Sequence, residues 1–228
     1  MKLQYYKKKS KINYSAIIVA NGDSKRFGSE NKLLKKLKSS NVLIEAIKPF
    51  LKNNFIDQII IVCPKEIENV ILDYFAVKNW AIDRLQFSRG GSERYLSVQK
   101  GMHYVKNNFV LIHDGARPYL SNELLDKIML NLINNDAVIP SLTINSALKQ
   151  KNTSGDFIHV NRNDFLITQT PQGFKTKIYD NALKRNKPNN YNYDDDATFI
   201  ELNSPEIKMI YINGDIKNIK ITNKEDIF

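Results

Sequence analysis

A chain of 228 residues, 42% of them hydrophobic, is long enough to bury a substantial core as one α/β domain spanning residues 1–228. Its one cysteine excludes an internal disulfide and fits a reducing compartment. No stretch approaches the ~20 apolar residues of a membrane span, and the formal charge of +10 favours anionic partners. We therefore expect a cytoplasmic protein without a membrane segment.

The first apolar run covers residues 16–20 and is rich in β-branched residues, which predicts a buried strand. Gly22 follows it, and Arg26 and Lys32 come soon after. A glycine-containing turn after a strand can point backbone N–H groups at an anion, and phosphate suits such a loop best. An ordinary βα turn with solvated lysines is an equal alternative on these residues alone.

Strand-like and helix-like segments then alternate. This order predicts parallel βαβ units and a sheet covered by helices on both faces. Ligands of such sheets collect at the carboxyl ends of the strands. The predicted segments are strands 58–62, 84–87, 109–112, 137–140 and 207–212, and helices 42–52 (kinked or short at Pro49), 66–75 and 175–185, with further helices after Ser92 and Ser121.

Two later loops also follow predicted strands. In the first, Gly90 and Gly91 allow close backbone approach to a nucleotide base or ribose, and Ser92 is a candidate N-cap. A flexible turn with a capping serine explains the same residues equally well.

The second loop follows the run 109–112, which delivers Asp114 to the end of a central strand. A carboxylate beside a phosphate site is a natural Mg²⁺ ligand, because Mg²⁺ takes one or two carboxylates together with substrate phosphates. His113 is a general base or, as for most lone histidines at strand ends, a structural donor. Arg117 contacts an anionic substrate or pins the loop by a salt bridge.

Helical periodicity is absent from residues 141–169, where two strand-like stretches flank the turn 152–156. This pattern predicts a β-hairpin arm that packs on another subunit, and hence a homodimer. Residues 168–172 are expected to form a polar loop. Residues 194–196, three aspartates, cap a helix or form a metal cluster, and Thr222 with Glu225 suggests a capping box.

Taken together, the loops resemble one known family. The motifs are Ala-Asn-Gly-Asp-Ser-Lys-Arg-Phe-Gly, Gly-Gly-Ser-Glu-Arg, His-Asp-Gly-Ala-Arg-Pro, Gln-Thr-Pro-Gln, Asp-Asp-Ala and Asn-Ile-Lys-Ile-Thr. From about residue 15 to its end, the chain is similar to 2-C-methyl-D-erythritol 4-phosphate cytidylyltransferases. The pentitol-phosphate cytidylyltransferases of cell-wall synthesis share most of these motifs.

The resemblance implies a Rossmann-like, mostly parallel sheet with helices on both faces and a protruding β-hairpin arm. It also implies transfer of a cytidylyl group from CTP to 2-C-methyl-D-erythritol 4-phosphate, with release of pyrophosphate and Mg²⁺ as cofactor. Ribitol 5-phosphate is the alternative acceptor. A non-catalytic nucleic-acid binder is disfavoured, because the aromatic residues fall on core-facing positions and no recognition motif occurs.

Site residues also follow from the resemblance. The implied catalytic residues are Arg26 and Lys32, which match the basic pair that stabilises the transition state, and Arg162 and Lys220, which match residues that position the acceptor. The nucleotide-binding positions are Ala20, Asn21, Gly22, Asp23, Gly90, Ser92, Ser97 and Asp114; the substrate-binding positions are Arg117, Arg162, Thr170 and Lys220; and Asp114 is the metal ligand.

The chain departs from the family pattern at three places. Asn21 and Ser24 intrude in the first loop, and Asn31 stands where proline commonly precedes the lysine. In the arm, Ser146 and Ala147 replace the usual Asp-Thr, whose threonine contacts the substrate phosphate. The last change puts the acceptor in doubt more than the nucleotide.

Overall fold

The computed structural model describes residues 12–22, 27, 31–186, 191 and 193–227. The strands in this part of the chain are β1 (Tyr14–Val19), β2 (Lys36–Leu37), β3 (Ser40–Asn41), β4 (Ile56–Val62), β5 (Leu85–Ser88), β6 (Phe109–Asp114), β7 (Ala137–Thr143), β8 (Leu148–Lys151), β9 (Phe157–Val160), β10 (Leu166–Thr168), β11 (Gln172–Lys175) and β12 (Met209–Asn213). The helices are α1 (Val42–Lys52), α2 (Lys65–Val77), α3 (Arg94–Met102), α4 (Asn122–Leu132), α5 (Thr176–Arg185) and α6 (Asp196–Asn203).

The central sheet is mostly parallel, as the resemblance implies, but it also contains antiparallel pairs. Its order is β10-β7-β11-β6-β1-β4-β5, and β12 pairs in parallel with β7. The strands β6, β1, β4 and β5 are mutually parallel, whereas β11 runs antiparallel to both β6 and β7. Val19 pairs with Val62 and with Asp114, so the ends of three neighbouring strands meet at one edge.

Helices cover both faces of this sheet. Along β1, Ala16 and Ile18 pack into the core cluster formed with α1, α2 and α4, whereas Ile17 packs into the cluster formed with α3, α5 and α6. All three are 0% exposed. A strand buried on both faces needs apolar residues at every position, which explains the continuous run at residues 16–20. The helix α1 continues through Pro49 to Lys52.

The arm is a separate two-stranded antiparallel sheet made of β8 and β9. In its turn Asn152 N donates to Asp156 O at 2.9 Å, and Gly155 has a φ of +95° that glycine adopts without strain. The predicted bounds 141–169 are too wide. Because β7 continues to Thr143 and pairs with β10, the excursion from the main sheet covers only residues 144–165.

The expected polar loop 168–172 is also wrong in part, because it contains the end of β10 and the start of β11. The strand β11 enters the sheet between β6 and β7, where a Cβ on Gly173 would lie 3.1 Å from side-chain atoms of both Ile128 and Leu132. Four residues reading Gln-Gly-Phe-Lys carry little apolar alternation. Their strand conformation therefore comes from tertiary packing rather than from local preference.

Two predicted helix caps are displaced. The helix α3 begins at Arg94 with Glu93 as its N-cap residue, and Ser92 is exposed. The capping box lies at Asn223 and Asp226, one residue beyond the predicted pair, and it opens a short 3-10 helix. Within the described residues, no helix is long and apolar enough to cross a membrane.

Candidate active site

The first loop leaves the sheet after β1 and joins the glycine pair after β5. Asn21 Nδ2 donates to Gly91 O at 2.9 Å. Gly90 packs directly behind this contact, since a Cβ there would lie 2.1 Å from Asn21 Cγ. Asn21, one of the departures from the family pattern, therefore ties the two loops together.

Ser97 on α3 braces the same glycine loop from the other side. Its Oγ accepts from Gly91 N at 3.0 Å and donates to Glu93 O at 3.1 Å. Lys100, one turn further along, donates to Gly90 O at 2.7 Å. These contacts hold the backbone at residues 90–91 in one arrangement.

Lys32 opens a short 3-10 helix, Lys32–Leu34, after the first loop. The side chain of Asn31 caps this helix by accepting from Leu33 N at 3.0 Å. Asn31 thus supplies a helix start of the kind that asparagine favours, in place of the proline usual in the family.

Asp114 ends β6 beside the last residue of β1. Lys220 Nζ lies 3.0 Å from its Oδ2, Arg94 Nε donates to its Oδ1 at 3.2 Å, and Arg117 Nε lies 3.6 Å from its Oδ2. Burial would raise the pKa of Asp114, but the charges of Arg94, Lys220 and Arg117 outweigh it and hold the pKa well below its ordinary value. Asp114 is therefore a carboxylate at neutral pH.

His113 is neutral and structural. It is 0% exposed, and burial lowers its pKa to about 4. Its Nε2 lies 3.1 Å from Arg117 O, which can only accept, so Nε2 carries the proton. Nδ1 then accepts from the Thr170 hydroxyl at 3.0 Å, and the same hydroxyl accepts from Asp114 N at 3.0 Å. The general-base alternative receives no support from this geometry.

The segment that carries Lys220 is fixed through Asn218. The Asn218 side chain is 0% exposed and donates to Thr170 O at 2.7 Å. Asn218 O accepts from Arg117 Nη1 at 2.8 Å. Arg117 thus lies close to Asp114 and also binds the segment that carries Lys220. These contacts agree with the alternative in which Arg117 holds its loop by a salt bridge.

Two cavities open at this edge of the sheet. The first has a volume of about 400 Å³, and the second, next to it, about 320 Å³. Arg94, Asp114 and Lys220 line both and form the wall between them. Predicted residues in the first cavity are Ala20, Asn21, Gly22, Lys32, Ser92, Ser97, Asp114 and Lys220. Those in the second are Asp114, Arg117, Thr170 and Lys220.

The structure does not bring every predicted residue to these cavities. Gly91 lines the first cavity, whereas Gly90 lies behind Asn21. Arg162 lies on the arm, where its Nη1 donates to Asn145 O at 2.5 Å, and it lines neither cavity. Asp23 and Arg26 lie outside the described residues.

Sequence reasoning missed Arg94 and underrated the aspartates at the start of α6. Asp195 caps α6 by accepting from Thr198 N at 2.8 Å, and it also accepts from Thr168 and Gln172, each at 2.7 Å. This confirms the capping alternative. Among the described residues, no group of three or more His, Cys, Asp or Glu side chains could hold a metal ion. The one indication for Arg94 was its place in the motif Gly-Gly-Ser-Glu-Arg.

Two adjoining cavities with cations in their common wall suit the joining of two anionic reactants, since each cavity can align one of them. Their place at the carboxyl ends of a Rossmann-like sheet is typical of nucleotide-binding enzymes. The fold and the site therefore define a nucleotidyltransferase.

More particularly, the chain belongs to the 2-C-methyl-D-erythritol 4-phosphate cytidylyltransferase family, whose sequence model matches residues 14–228. It is 30% identical over 220 residues to the enzyme of that name from Bacillus cytotoxicus (94% of each chain), and 33% identical over 217 residues to that from Clostridium botulinum (93% of this chain, 95% of the relative). The crystal structure of 4-diphosphocytidyl-2C-methyl-D-erythritol synthase from Anaerococcus prevotii superposes with a TM-score of 0.82 at 27% identity over 95% of each chain.

Proposed function

We propose that this chain transfers the cytidylyl group of CTP to 2-C-methyl-D-erythritol 4-phosphate and releases pyrophosphate, with residues 1–228 acting as one domain. The Bacillus and Clostridium relatives carry this activity in their names. The structural observation that supports it most directly is the common wall of Arg94, Asp114 and Lys220. CTP occupies the first cavity in this proposal, and the acceptor occupies the second.

The reaction then takes place at this wall. An oxygen of the acceptor phosphate attacks the α-phosphorus of CTP, the bond from that phosphorus to the β-phosphate oxygen breaks, and pyrophosphate leaves. Lys32 faces the nucleotide cavity, and Lys220 faces both cavities. Their ammonium groups, with Arg26 as the resemblance implies, stabilise the charge on the transferred group. No nucleophilic side chain is needed.

The family implies Mg²⁺, and Asp114 fits it. A carboxylate has about four lone-pair sites, and the close contacts of Asp114, at 3.2 Å with Arg94 and 3.0 Å with Lys220, use two of them. One carboxylate with triphosphate oxygens is a common Mg²⁺ ligand set. When bound, the ion would neutralise triphosphate charge.

We also propose a homodimer formed through the arm. Five apolar side chains on the arm and its base are exposed: Phe157, Ile158, Phe165, Leu166 and Ile167. Several exposed apolar side chains in one short stretch of the chain favour a partner surface. Arg162 lies on the same arm and lines neither cavity of its own chain, so its predicted contact with the acceptor is assigned to the partner's site. The cytoplasmic location stays a prediction.

The test is release of pyrophosphate by the purified chain from CTP and Mg²⁺ with one acceptor at a time. We expect turnover with 2-C-methyl-D-erythritol 4-phosphate and a background rate without acceptor. Ribitol 5-phosphate is the matched control, since it is also a sugar-alcohol phosphate. Faster turnover with ribitol 5-phosphate would contradict the acceptor assignment, and no turnover with either would contradict the proposed function.

A further inference from the structure

Arg94 connects two carboxylates that come from different elements. It opens α3, its Nε donates to Asp114 Oδ1 at 3.2 Å, and its Nη2 lies 2.8 Å from Asp196 Oδ2. The exposed fractions of the side chains are 19% for Arg94 and 1% for Asp196. Burial acts to lower the pKa of Arg94, but the two carboxylates raise it, so the guanidinium is always charged.

Tyr179 on α5 supports Asp196 from behind. Its hydroxyl donates to Asp196 Oδ1 at 2.7 Å, and Tyr179 is 1% exposed. A buried carboxylate is stable only when it is paired and hydrogen-bonded. Asp196 obtains both from Tyr179 and Arg94, and it does not line either cavity. Asp196 and Tyr179 therefore hold Arg94 in place from the protein interior.

Asp114 makes the next connection. While its Oδ1 accepts from Arg94, its Oδ2 lies 3.0 Å from Lys220 Nζ. The Lys220 side chain is 41% exposed and comes from a segment without helix or strand. A long, half-exposed lysine samples many rotamers unless a fixed anion restrains it. The orientation of the Asp114 carboxylate thus decides where the ammonium group lies.

We propose that Arg94 is a positioning residue for the transfer step: it orients Asp114 so that Asp114 holds the Lys220 ammonium at the boundary between the two cavities. This inference rests on the proposed function. Arg94 acts through Asp114, and the interior pair Asp196 and Tyr179 fixes Arg94 itself.

The charge balance of the ion pairs that involve Asp114 and Asp196 supports this role. Three cations, Arg94, Arg117 and Lys220, face two carboxylates, Asp114 and Asp196, in these ion pairs. The sum over these five side chains is one positive charge. Without Arg94 the sum is zero, Asp114 stands less compensated beside the anionic reactants, and Asp196 loses its ion-pair partner. Loss of Arg94 therefore both releases Lys220 and weakens the charge that stabilises the transferred group.

The test compares Arg94→Met with Arg84→Met. Arg84 is the matched control because it is a partly buried arginine at the opposite ends of the strands, where it donates to Ile56 O at 2.7 Å and to Asn53 O at 3.1 Å. For Arg94→Met we expect kcat to fall ~100-fold with the KM for CTP changed less than about threefold, as for loss of one preorganised charged contact. Arg84→Met should lower the melting temperature and leave kcat per folded molecule near that of the unmodified chain.

A double-variant cycle with Lys220→Ala separates positioning from a general structural role. If Arg94 acts by positioning Lys220, the kcat of the double variant Arg94→Met, Lys220→Ala should be only slightly lower than that of the weaker single variant. Asp196→Asn, which keeps side-chain shape, is the second variant should Arg94→Met not fold; it should lower kcat ~10-fold by loosening Arg94.

Each outcome decides between the two claims. The positioning role would be overturned if the fold reductions in kcat of Arg94→Met and Lys220→Ala multiply in the double variant. It would also be overturned if kcat is unchanged in Arg94→Met and Asp196→Asn. In both cases the proposed function stands. Absence of turnover in the unmodified chain would overturn the proposed function and this inference with it.

Discussion

His113 lies next to a carboxylate with three cationic neighbours, yet it carries no charge. Its two nitrogens are committed to Arg117 O and to the Thr170 hydroxyl. These contacts join the end of β6 to the segment between β10 and β11 and to the loop that holds Arg117. A histidine that protonated at physiological pH would break this arrangement, so its low pKa protects the geometry around Asp114.

Stability should depend on pH through His113. Its pKa is about 4 in the folded chain against an ordinary 6.5, so between these values the unfolded chain binds more protons and the free energy of unfolding falls as pH falls. Between pH 7 and pH 5 we expect a loss of about 2 kcal/mol. Urea unfolding of the unmodified chain and of His113→Gln measures it. An equal loss in the variant would contradict the assignment.

Lys32 tests whether the first cavity, the proposed CTP site, requires this positive charge. Lys32→Ala should reduce kcat ~10²–10³-fold, the usual effect of removing one preorganised charge-stabilising group. Lys36→Ala is the control, because Lys36 is exposed on β2 and lines neither cavity. Steady-state pyrophosphate release gives both values. Near-native turnover in Lys32→Ala would remove this residue from the mechanism.

Asn21 tests whether a departure from the family pattern has a function. Asn21→Ala loses the 2.9 Å bond to Gly91 O and should raise the KM for CTP about fivefold, the value of a net hydrogen bond near 1 kcal/mol. Asn13→Ala removes a comparable bond, to Asp57, at the other end of β1 and should leave KM unchanged. An unchanged KM in both variants would show that the loops hold together without this amide.

At the scale of elements, the start of α6 serves both cavities. Asp195 caps the helix and accepts from Thr168 and Gln172 in the wall of the second cavity. Asp196, the next residue, pairs with Arg94 in the common wall. The first turn of α6 therefore fixes the position of the second cavity relative to the common wall.

Asp195→Ala should destabilise the fold more than loss of an ordinary cap. We expect about 2–3 kcal/mol, because the cap is worth about 1 kcal/mol and two further donors lose their acceptor. Ser121→Ala, which removes the cap of α4 at Leu124 N, should cost about 1 kcal/mol. Urea unfolding compares the two, and equal losses would show that Thr168 and Gln172 find other partners.

The elements show where sequence reasoning works. Long apolar runs such as β1 and β4, and amphipathic helices such as α2, are placed within about two residues, because burial on one or both faces determines their composition. The strand β11 and the hairpin of β2 and β3 were missed. They are short, and partners distant in sequence decide their conformation.

At the scale of the whole molecule, the arm and the adjoining strand β10 carry exposed apolar side chains. Phe157 is 68% exposed and Ile167 51% exposed. The arm adds no wall to either cavity of its own chain. The proposed assembly through the arm would bury these apolar side chains and bring Arg162 to a partner chain.

The dimer proposal predicts that Phe157→Asp combined with Ile167→Asp yields a monomer at micromolar concentration, because buried charges without partners oppose association. Val77→Asp is the control, since Val77 is 81% exposed on α2, and it should leave the dimer intact. Sedimentation velocity distinguishes the two states. A monomeric unmodified chain would contradict the proposal.

The site could be predicted only in part. Of the four charged residues Arg26, Lys32, Asp114 and Lys220 that the resemblance implies for the site, the last three line the first cavity, and Arg26 lies outside the described residues. Arg94 escaped notice because its role depends on Asp114 and Asp196, which are distant from it in the sequence and which only the folded chain brings to it. Motif spacing in the sequence predicts which loops form the site. It does not predict ion pairs between residues that only the sheet topology brings together.

The common wall also affects how the product leaves. In the proposed reaction the new diphosphate bridge of the product lies beside Arg94, Asp114 and Lys220, so the product occupies both cavities. A ligand whose two parts bind two adjacent sites dissociates only when both parts leave their sites. The diphosphate product should therefore compete with either starting compound, and its departure should govern how fast the enzyme can cycle.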